Sequence, residues 1–294
     1  MTTSPRFSRR RFLRSLPLLI GGSRLLTASQ GKIFPGCQTN AWKIDPHDFS
    51  TFLSVLEQVQ AFQFEGFETG FANVQEQFGN PAARRQIKRF GLRFIGIHIF
   101  LPAYDPQTSI APVSLYQRVA EGGAGMGADR LILSGAPVTS EGRLNEPALQ
   151  RKTRALMDAA RYARHKGLQL AYHNEIPECV AHGLEIEALI GETDPSLVGF
   201  LLDAGHAFQA GIDVPTFFRK HAGRIVGIHL RDYRGGQEVP LGQGNFDLGG
   251  LAKAVEQTDW SGWVLAEEDY PNDFKPGSSA IKVARQSIRR AFHI

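Results

Sequence analysis

The sequence predicts a single (β/α)8 TIM barrel that spans residues 31–294. Eight short apolar runs alternate with segments of helical periodicity over this length, which matches the strand count and size of such a barrel. Glycine precedes several of these runs, at points where helices commonly end in a left-handed residue. The alternative, a doubly wound open sheet, favours a glycine-rich phosphate loop after its first strand. The segment CQTNAWK at that place contains no glycine, so the barrel fits better.

Each predicted strand is rich in aliphatic and β-branched residues and lies between turn-forming residues. The predicted strands are 33–41, 64–69, 92–99, 130–134, 168–173, 198–203, 224–230 and 263–267. Apolar residues recur every three to four positions in 49–62 and 149–166, and 278–292 closes the chain as an amphipathic helix. In 149–166 the basic residues are expected on the side opposite Leu149 and Leu156.

Four apolar runs in the second half of the chain each end in an acid or a histidine. They are LQLAYHNEIPE, VGFLLDAGH, RIVGIHLRD and GWVLAEED. Such runs are typical of strands buried on both faces. A charge at the end of a buried strand is costly unless it is paired or bound to a metal. Because the C-terminal ends of barrel strands converge on the face that holds the active site, these side chains are predicted to meet there.

Four of these residues are the predicted metal ligands: Glu178, Asp203, His229 and Glu267. Three carboxylates and one imidazole suit a divalent cation that keeps open coordination positions for a substrate. Mn²⁺ is the expected ion, and Mg²⁺, Co²⁺ and Zn²⁺ fit the same donors. A set of structural salt bridges is the competing interpretation, but it would need Arg or Lys partners, of which the site has few.

Residues 1–30 resemble a twin-arginine signal peptide. The pattern is SRRRFLR at residues 8–14, followed by a modestly apolar stretch and small residues near Ala28. Pro17, two glycines and Arg24 interrupt the stretch, so it is too short for a stable membrane anchor. The signal predicts export by the twin-arginine machinery to the periplasm or another extracytoplasmic site. A disordered basic tail is the alternative.

The net charge of +4 comes from the six arginines of the predicted signal peptide. The rest of the chain has 27 basic and 29 acidic residues, a formal charge of −2. A protein that binds nucleic acid would be expected to carry a basic face. The composition therefore predicts no nucleic-acid partner.

The chain resembles the sugar phosphate isomerase/epimerase superfamily, which shares the xylose isomerase-like TIM barrel with AP endonuclease family 2. The resemblance covers residues 32–292 and rests on the motifs FEGFET, AYHNEIPE, LLDAGH, GIHLRD, PLGQGNFDL and AEED. It implies the same four metal ligands. It also implies that His206, Arg231 and Asp232 either contact the substrate or support the ligands.

One motif departs from the family pattern. Members often have His-Asn-His where this chain has His173-Asn174-Glu175. The extra acid means that Glu175 competes with Glu178 for the ligand position after strand five. Alternatively, Glu175 adds charge near the substrate and shifts substrate preference.

Resemblance to the epimerases of this superfamily implies a two-base mechanism. Glu178 and Glu267 would flank the substrate, one removing a proton beside a carbonyl and the other returning it to the opposite face. A divalent metal would stabilise the enediolate. Glu68 and His98 end strands two and three and, with His173, are predicted to bind sugar hydroxyls. Hydrogen-bonded core residues are the alternative for these three.

The predicted function is therefore a metal-dependent isomerase or epimerase with a small-molecule carbohydrate substrate, a sugar or keto-sugar without phosphate if the protein is exported. The alternative enzyme is a lyase that dehydrates a keto-polyol or eliminates from a 3-keto-glycoside. An apurinic-site endonuclease would need more histidines and a basic surface. A non-catalytic sugar-binding barrel is the remaining alternative. Similar barrels are usually dimers or tetramers, so a homo-oligomer is expected.

Overall fold

Eight parallel strands close a barrel in the computed structural model, which describes residues 32–269 and 277–294. The predicted export signal lies outside the described residues. The strands are β1 (Ile33–Gln38), β2 (Gly66–Gly70), β3 (Arg93–Ile99), β4 (Arg130–Leu133), β5 (Gln169–His173), β6 (Val198–Asp203), β7 (Ile225–Leu230) and β8 (Gly262–Ala266). Each strand pairs with the next, and β8 pairs with β1. The predicted (β/α)8 barrel is confirmed.

One or two α-helices follow each strand of the barrel. They are α1 (Phe49–Ala61), α2 (Pro81–Lys88), α3 (Val113–Met126), α4 (Glu146–His165), α5 (Ile176–Glu192), α6 (Ala204–Gln209), α7 (Val214–His221), α8 (Leu248–Gln257) and α9 (Ser278–Phe292). Two short antiparallel hairpins extend the loops after β4 and β7: Thr139–Ser140 with Arg143–Leu144, and Asp232–Arg234 with Gln237–Val239. Among the helices of the described ranges, none is long and apolar enough to cross a membrane.

Side chains at the N-caps determine where several helices begin. An Asp or Asn accepts a hydrogen bond from a backbone N–H of the first turn at each of these positions: Asp48, Asn80, Asn145, Asp203, Asp213 and Asp247. Such a cap stabilises a helix by about 1 kcal/mol. Asp203 is also the last residue of β6. Its cap on α6 therefore helps to orient the carboxylate of a predicted metal ligand.

The barrel interior changes from apolar to polar along the strands. One buried apolar layer consists of Ile95, Ile132, Ala171, Leu201 and Leu265. Closer to the C-terminal ends, the buried side chains are polar: Glu68, His98, Ser134, His173, Asp203, His229 and Glu267. A larger apolar cluster contains residues of both strands and helices. The polar layer thus lies at the barrel end where this fold places its active sites.

Predicted and observed strand bounds agree closely, and β6 has the bounds that the sequence predicts. The difference that matters for function lies just after β5. This strand ends at His173, as the sequence predicts, but α5 begins at Ile176. Glu178 therefore lies in the first turn of a helix rather than at the end of a strand.

Candidate metal centre and cleft

A cleft of about 540 Å³ opens among the C-terminal ends of the strands. Segments after β1, β2 and β3 contribute Trp42, Ile44, Phe71 and Phe100 to its lining. The ends of β5 to β8 contribute His173, Glu175, His206, Arg231, Glu267 and Asp269. The large apolar side chains thus lie on one side of the cleft, together with Lys43 and His98, and most of the ionisable side chains lie on the opposite side. The volume lies in the range of about 300–1,000 Å³ that is common for small-molecule sites.

Four buried side chains meet on the ionisable side. His173 ends β5, Asp203 ends β6, His229 lies near the end of β7, and Glu267 follows β8. One potential ligand atom from each lies within 4.8 Å of the others. Three of the four predicted ligands are therefore together, and His173 occupies the place that the sequence assigned to Glu178.

Unpaired polar atoms test whether this group fits a cation. Nε2 of His173, Nδ1 of His229 and Oε2 of Glu267 are buried and make no hydrogen bond of acceptable geometry within the described ranges, although they lie close to one another. His173 Nε2 lies 3.6 Å from both Glu267 Oε2 and Asp203 Oδ2, and His229 Nδ1 contacts Glu267 Oε2. Unsatisfied buried atoms are costly. Two imidazole nitrogens and two carboxylate oxygens suit Zn²⁺, Mn²⁺ or Co²⁺, so these residues fit a divalent metal.

Glu68 orients one of the imidazoles. Its Oε2 lies 2.7 Å from Nε2 of His229, which leaves Nδ1 of His229 directed to Glu267. Burial lowers the pKa of His229, but the carboxylates of Glu267 and Glu68 outweigh burial and raise the pKa to about 9. A metal ion would have to displace this proton. Glu68 is fully buried and does not line the cleft, so it supports a ligand rather than binding sugar hydroxyls.

Replacing Glu68 with glutamine is expected to weaken Zn²⁺ binding about tenfold or more, because carboxylates behind ligating histidines commonly contribute 10–100-fold in metal affinity. Isothermal titration calorimetry with ZnCl₂ measures the effect. Glu76→Gln is the matched control, since Glu76 also pairs with a histidine at 2.7 Å, but that pair is exposed. Equal affinity of Glu68→Gln and the parent would contradict the assigned role.

His173 is held from its other ring nitrogen. Nδ1 lies 3.2 Å from Glu175 Oε1 and 3.3 Å from Ser134 Oγ, and that hydroxyl is also 2.9 Å from His98 Nε2. Burial lowers the pKa of His173, yet the carboxylates around it raise the pKa well above its ordinary value overall. Burial and the neighbouring His173 lower the pKa of His98 to about 3. His98 therefore lines the cleft as a neutral side chain.

Arg231 joins the carboxylates of the site. Its guanidinium lies 2.8 Å from Asp203 Oδ2, 3.1 Å from Glu267 Oε1 and 2.6 Å from Asp269 Oδ2. A Cβ on Gly205 would lie 2.3 Å from Cγ of Arg231, so the glycine of the LLDAGH motif makes room for this side chain. Burial raises the pKa of Glu267, but His229 and Arg231 outweigh burial and hold the pKa well below its ordinary value.

Asp232 and His206, both predicted to contact substrate, have different surroundings. Asp232 is buried and accepts hydrogen bonds from four backbone N–H groups, those of Tyr233, Gly242, Gly244 and Phe246. It shapes the loop after β7 and does not line the cleft. His206 does line the cleft, and its Nδ1 lies 3.4 Å from both Glu175 Oε2 and Asp203 Oδ2.

Glu178 is separated from the ligand group. Its carboxylate is fully buried, lies 3.0 Å from Lys152 Nζ and accepts a hydrogen bond from the Tyr172 hydroxyl. Burial raises the pKa of Glu178, and Lys152 partly opposes that shift. The structure therefore does not place Glu178 where a metal ligand or a substrate base must be. The helical start at Ile176 is the reason, because it carries this residue away from the end of β5.

Comparison with known families agrees with this geometry. The family model described as a xylose isomerase-like TIM barrel matches residues 56–291. The chain belongs to this family. The site of the present family member thus lies at the strand ends that the fold and the motifs both indicate.

The chain is similar in sequence to a named dehydratase and in fold to two solved structures. Inosose dehydratase of Lacticaseibacillus casei is 30% identical over 143 residues, which cover 42% of this chain and 48% of that protein. The chain thus matches about half the length of that curated relative. Among solved structures, the IolI protein with a bound zinc atom has a TM-score of 0.73 at 15% identity and covers 88% of this chain and 98% of its own. L-ribulose 3-epimerase has a TM-score of 0.71 at 20% identity, and the match covers 89% of this chain and 95% of that protein.

Three residues of this family member were missed from the sequence. Asn40 donates to Glu267 Oε1 at 3.2 Å, and Ser134 bridges two histidines. Lys152 was expected on the solvent side of its helix, but it is fully buried. Its position three residues after Leu149 and four before Leu156 was the available signal, because that spacing places it on the apolar face.

Proposed function

We propose that the chain is a metal-dependent carbohydrate lyase that removes water from a cyclic keto-polyol. The observation that carries the proposal is the Glu175–His206 pair, which lines the cleft beside the ligand group. His206 also contacts the ligand Asp203. Elimination of water needs a base for a C–H proton and an acid for the departing hydroxyl. Glu267 of the ligand group offers the base, and His206, held by Glu175, offers the acid beside the candidate metal site.

A divalent metal held by His173, Asp203, His229 and Glu267 would polarise the substrate carbonyl and so acidify the neighbouring C–H. Glu267 then takes that proton, while Arg231 and Asn40 hold its Oε1 at the cleft. The carbon–oxygen bond breaks at the next carbon, and His206 donates a proton to the departing hydroxyl. One water leaves, and exchange through solvent returns the proton from Glu267 to His206, so the cycle closes without a co-reactant.

Two observations favour elimination over epimerisation. The two-base scheme assigned one base to Glu178, and this residue is buried against Lys152. Several curated relatives of the chain are named inosose dehydratases. Epimerisation remains the second candidate because two carboxylates lie on different sides of the His173 ring. The carboxylate of Glu175 lines the cleft next to Nδ1, and the carboxylate of Glu267 lies next to Nε2. Glu175 could therefore serve as a second base.

The apolar part of the cleft lining suits an uncharged ring, and Lys43 is the cation that lines the cleft besides Arg231. Trp42, Phe71 and Phe100 provide apolar surface on which the C–H face of a ring can pack. The donors of Arg231 already contact carboxylates, which leaves this arginine poorly suited to bind a phosphate. The predicted twin-arginine signal supports the same choice, because phosphorylated sugars are mainly cytosolic. We propose an extracytoplasmic enzyme on this basis, acting on non-phosphorylated substrate.

The test is incubation of Mn²⁺- or Zn²⁺-loaded protein in D₂O with a panel of cyclic keto-polyols, 3-keto-glycosides and ketoses, followed by NMR. A dehydrated product with deuterium exchange beside the carbonyl is the expected result. Epimer formation without elimination would favour the second candidate. No exchange with any compound would contradict both enzymes and favour a sugar-binding barrel.

A further inference from the structure

A buried ion cluster lies behind the ionisable side of the cleft, and the proposed chemistry does not use it. Lys152 Nζ lies 3.0 Å from Glu178 Oε1, 2.7 Å from Glu185 Oε1 and 2.8 Å from the carbonyl oxygen of Ala136. The ammonium also lies 5.1 Å from the centre of the Tyr172 ring, whose hydroxyl donates to Glu178. We call Lys152, Glu178, Glu185 and Tyr172 the lysine clamp. All four of these side chains are fully buried.

The lysine clamp joins the segments that follow β4 and β5. Oε2 of Glu178 accepts a hydrogen bond of 2.7 Å from the backbone N–H of Glu175. Oε2 of Glu185 accepts hydrogen bonds of 2.7 and 2.9 Å from the backbone N–H groups of Val138 and Thr139. In both carboxylates, one oxygen thus pairs with Lys152 and the other accepts hydrogen bonds from backbone N–H groups. Neither has an oxygen available for a metal or a substrate.

An unfavourable backbone conformation brings the two carboxylates to one lysine. In a continuous α-helix, residues seven positions apart lie about 10 Å apart along the axis. In α5, Ala181, His182 and Gly183 have φ values of 51°, 60° and 79°, which interrupt the helix between Glu178 and Glu185. Left-handed φ values are unfavourable for residues other than glycine and are retained where the surrounding structure requires them. Here the interruption allows both acids to reach Lys152.

The residue that the clamp holds by its backbone is Glu175. The side chain of Glu175 contacts Ser134, His173 and His206 within 3.0–3.4 Å. We infer that the lysine clamp is a positioning device. It fixes Glu175, and through Glu175 it orients the His173 imidazole towards Asp203 and Glu267, with which His173 would hold a metal. The inference rests on the proposed metal-dependent function, but it concerns residues that never touch substrate. Lys152 and Glu178 are therefore positioning residues for His173.

Lys152→Met tests the inference through Zn²⁺ binding measured by calorimetry, with no substrate present. We expect the dissociation constant to rise about tenfold or more, as for other groups that orient a ligating histidine. Leu156→Ala is the matched control, because Leu156 is also fully buried and lies one turn further along α4. It should lower the melting temperature while Zn²⁺ affinity stays within about threefold of the parent.

Glu185→Gln provides a milder variant in case Lys152→Met does not fold. The amide carbonyl of this variant can still accept hydrogen bonds from the backbone N–H groups of Val138 and Thr139. The amide carries no charge, so it no longer neutralises Lys152. An intermediate loss of Zn²⁺ affinity is expected. The inference is overturned if the clamp variant that folds binds Zn²⁺ within about threefold of the parent, or if Leu156→Ala weakens binding equally. Because Zn²⁺ binding is measured without substrate, failure of the lyase proposal alone would leave this result unchanged.

Discussion

Glu267→Gln is expected to lower turnover by at least about 10³-fold while the fold survives, because it removes the proposed base for the C–H proton. The amide keeps the size of the side chain and can still accept hydrogen bonds from Asn40 and Arg231. Loss of metal must be separated from loss of the base. Turnover is therefore measured at saturating Mn²⁺, with the bound metal quantified in the same sample.

Glu268→Gln is the matched control for this substitution. Glu268 is the next residue in the chain and is also buried, but its Oε1 accepts a hydrogen bond from the backbone N–H of Leu241 and it lies outside the ligand group. This variant should keep turnover within about tenfold of the parent. Persistent activity in metal-loaded Glu267→Gln would contradict the assignment of the base.

His206→Gln is expected to separate the two halves of the proposed reaction. Release of water should fall by about 10²–10⁴-fold, because the acid for the departing hydroxyl is lost. Exchange of the substrate C–H proton with D₂O should continue, because Glu267 and the metal ligands remain. One NMR time course records both rates. His47→Gln is the control, since His47 is exposed and pairs with Glu76 away from the cleft.

The outcome for His206→Gln discriminates between candidate functions. Equal loss of exchange and elimination would mean that His206 supports metal binding or the fold rather than acting as the acid. Unchanged elimination would remove His206 from the mechanism and direct attention to Glu175. Retained epimer formation without any water release, in both parent and variant, would favour the isomerase.

Much of the site was predictable because barrel geometry converts sequence position into spatial position. The last residue of each buried strand must lie at the same end of the barrel. For Asp203, His229 and Glu267, the apolar run ends at or next to the functional residue, so the pattern alone was sufficient. The predicted and observed bounds of β6 are the same for this reason.

Strand five shows where this inference stops. The predicted end of this strand at His173 is correct, but several acids and a histidine follow one another in HNEIPE, and their order does not show which of them reaches the ligand group. Pro177 at the first turn of α5 and the hydrogen bond from Glu175 N–H to Glu178 start the helix three residues after the strand. Glu178 is therefore held in the helix, and His173 is the residue that joins the ligand group. Lys152 was missed for a related reason, because a lysine is rarely fully buried unless distant acids, here Glu178 and Glu185, pair with it.

The most direct test is an anomalous difference map from crystals of the Zn²⁺-loaded protein, collected at the zinc absorption edge. The account predicts one strong peak at about 2.0–2.2 Å from donor atoms of His173, Asp203, His229 and Glu267. The carboxylate of Glu178 should remain paired with Lys152. A peak coordinated by Glu178 instead of His173, or no peak among these strand ends, would contradict the central claim.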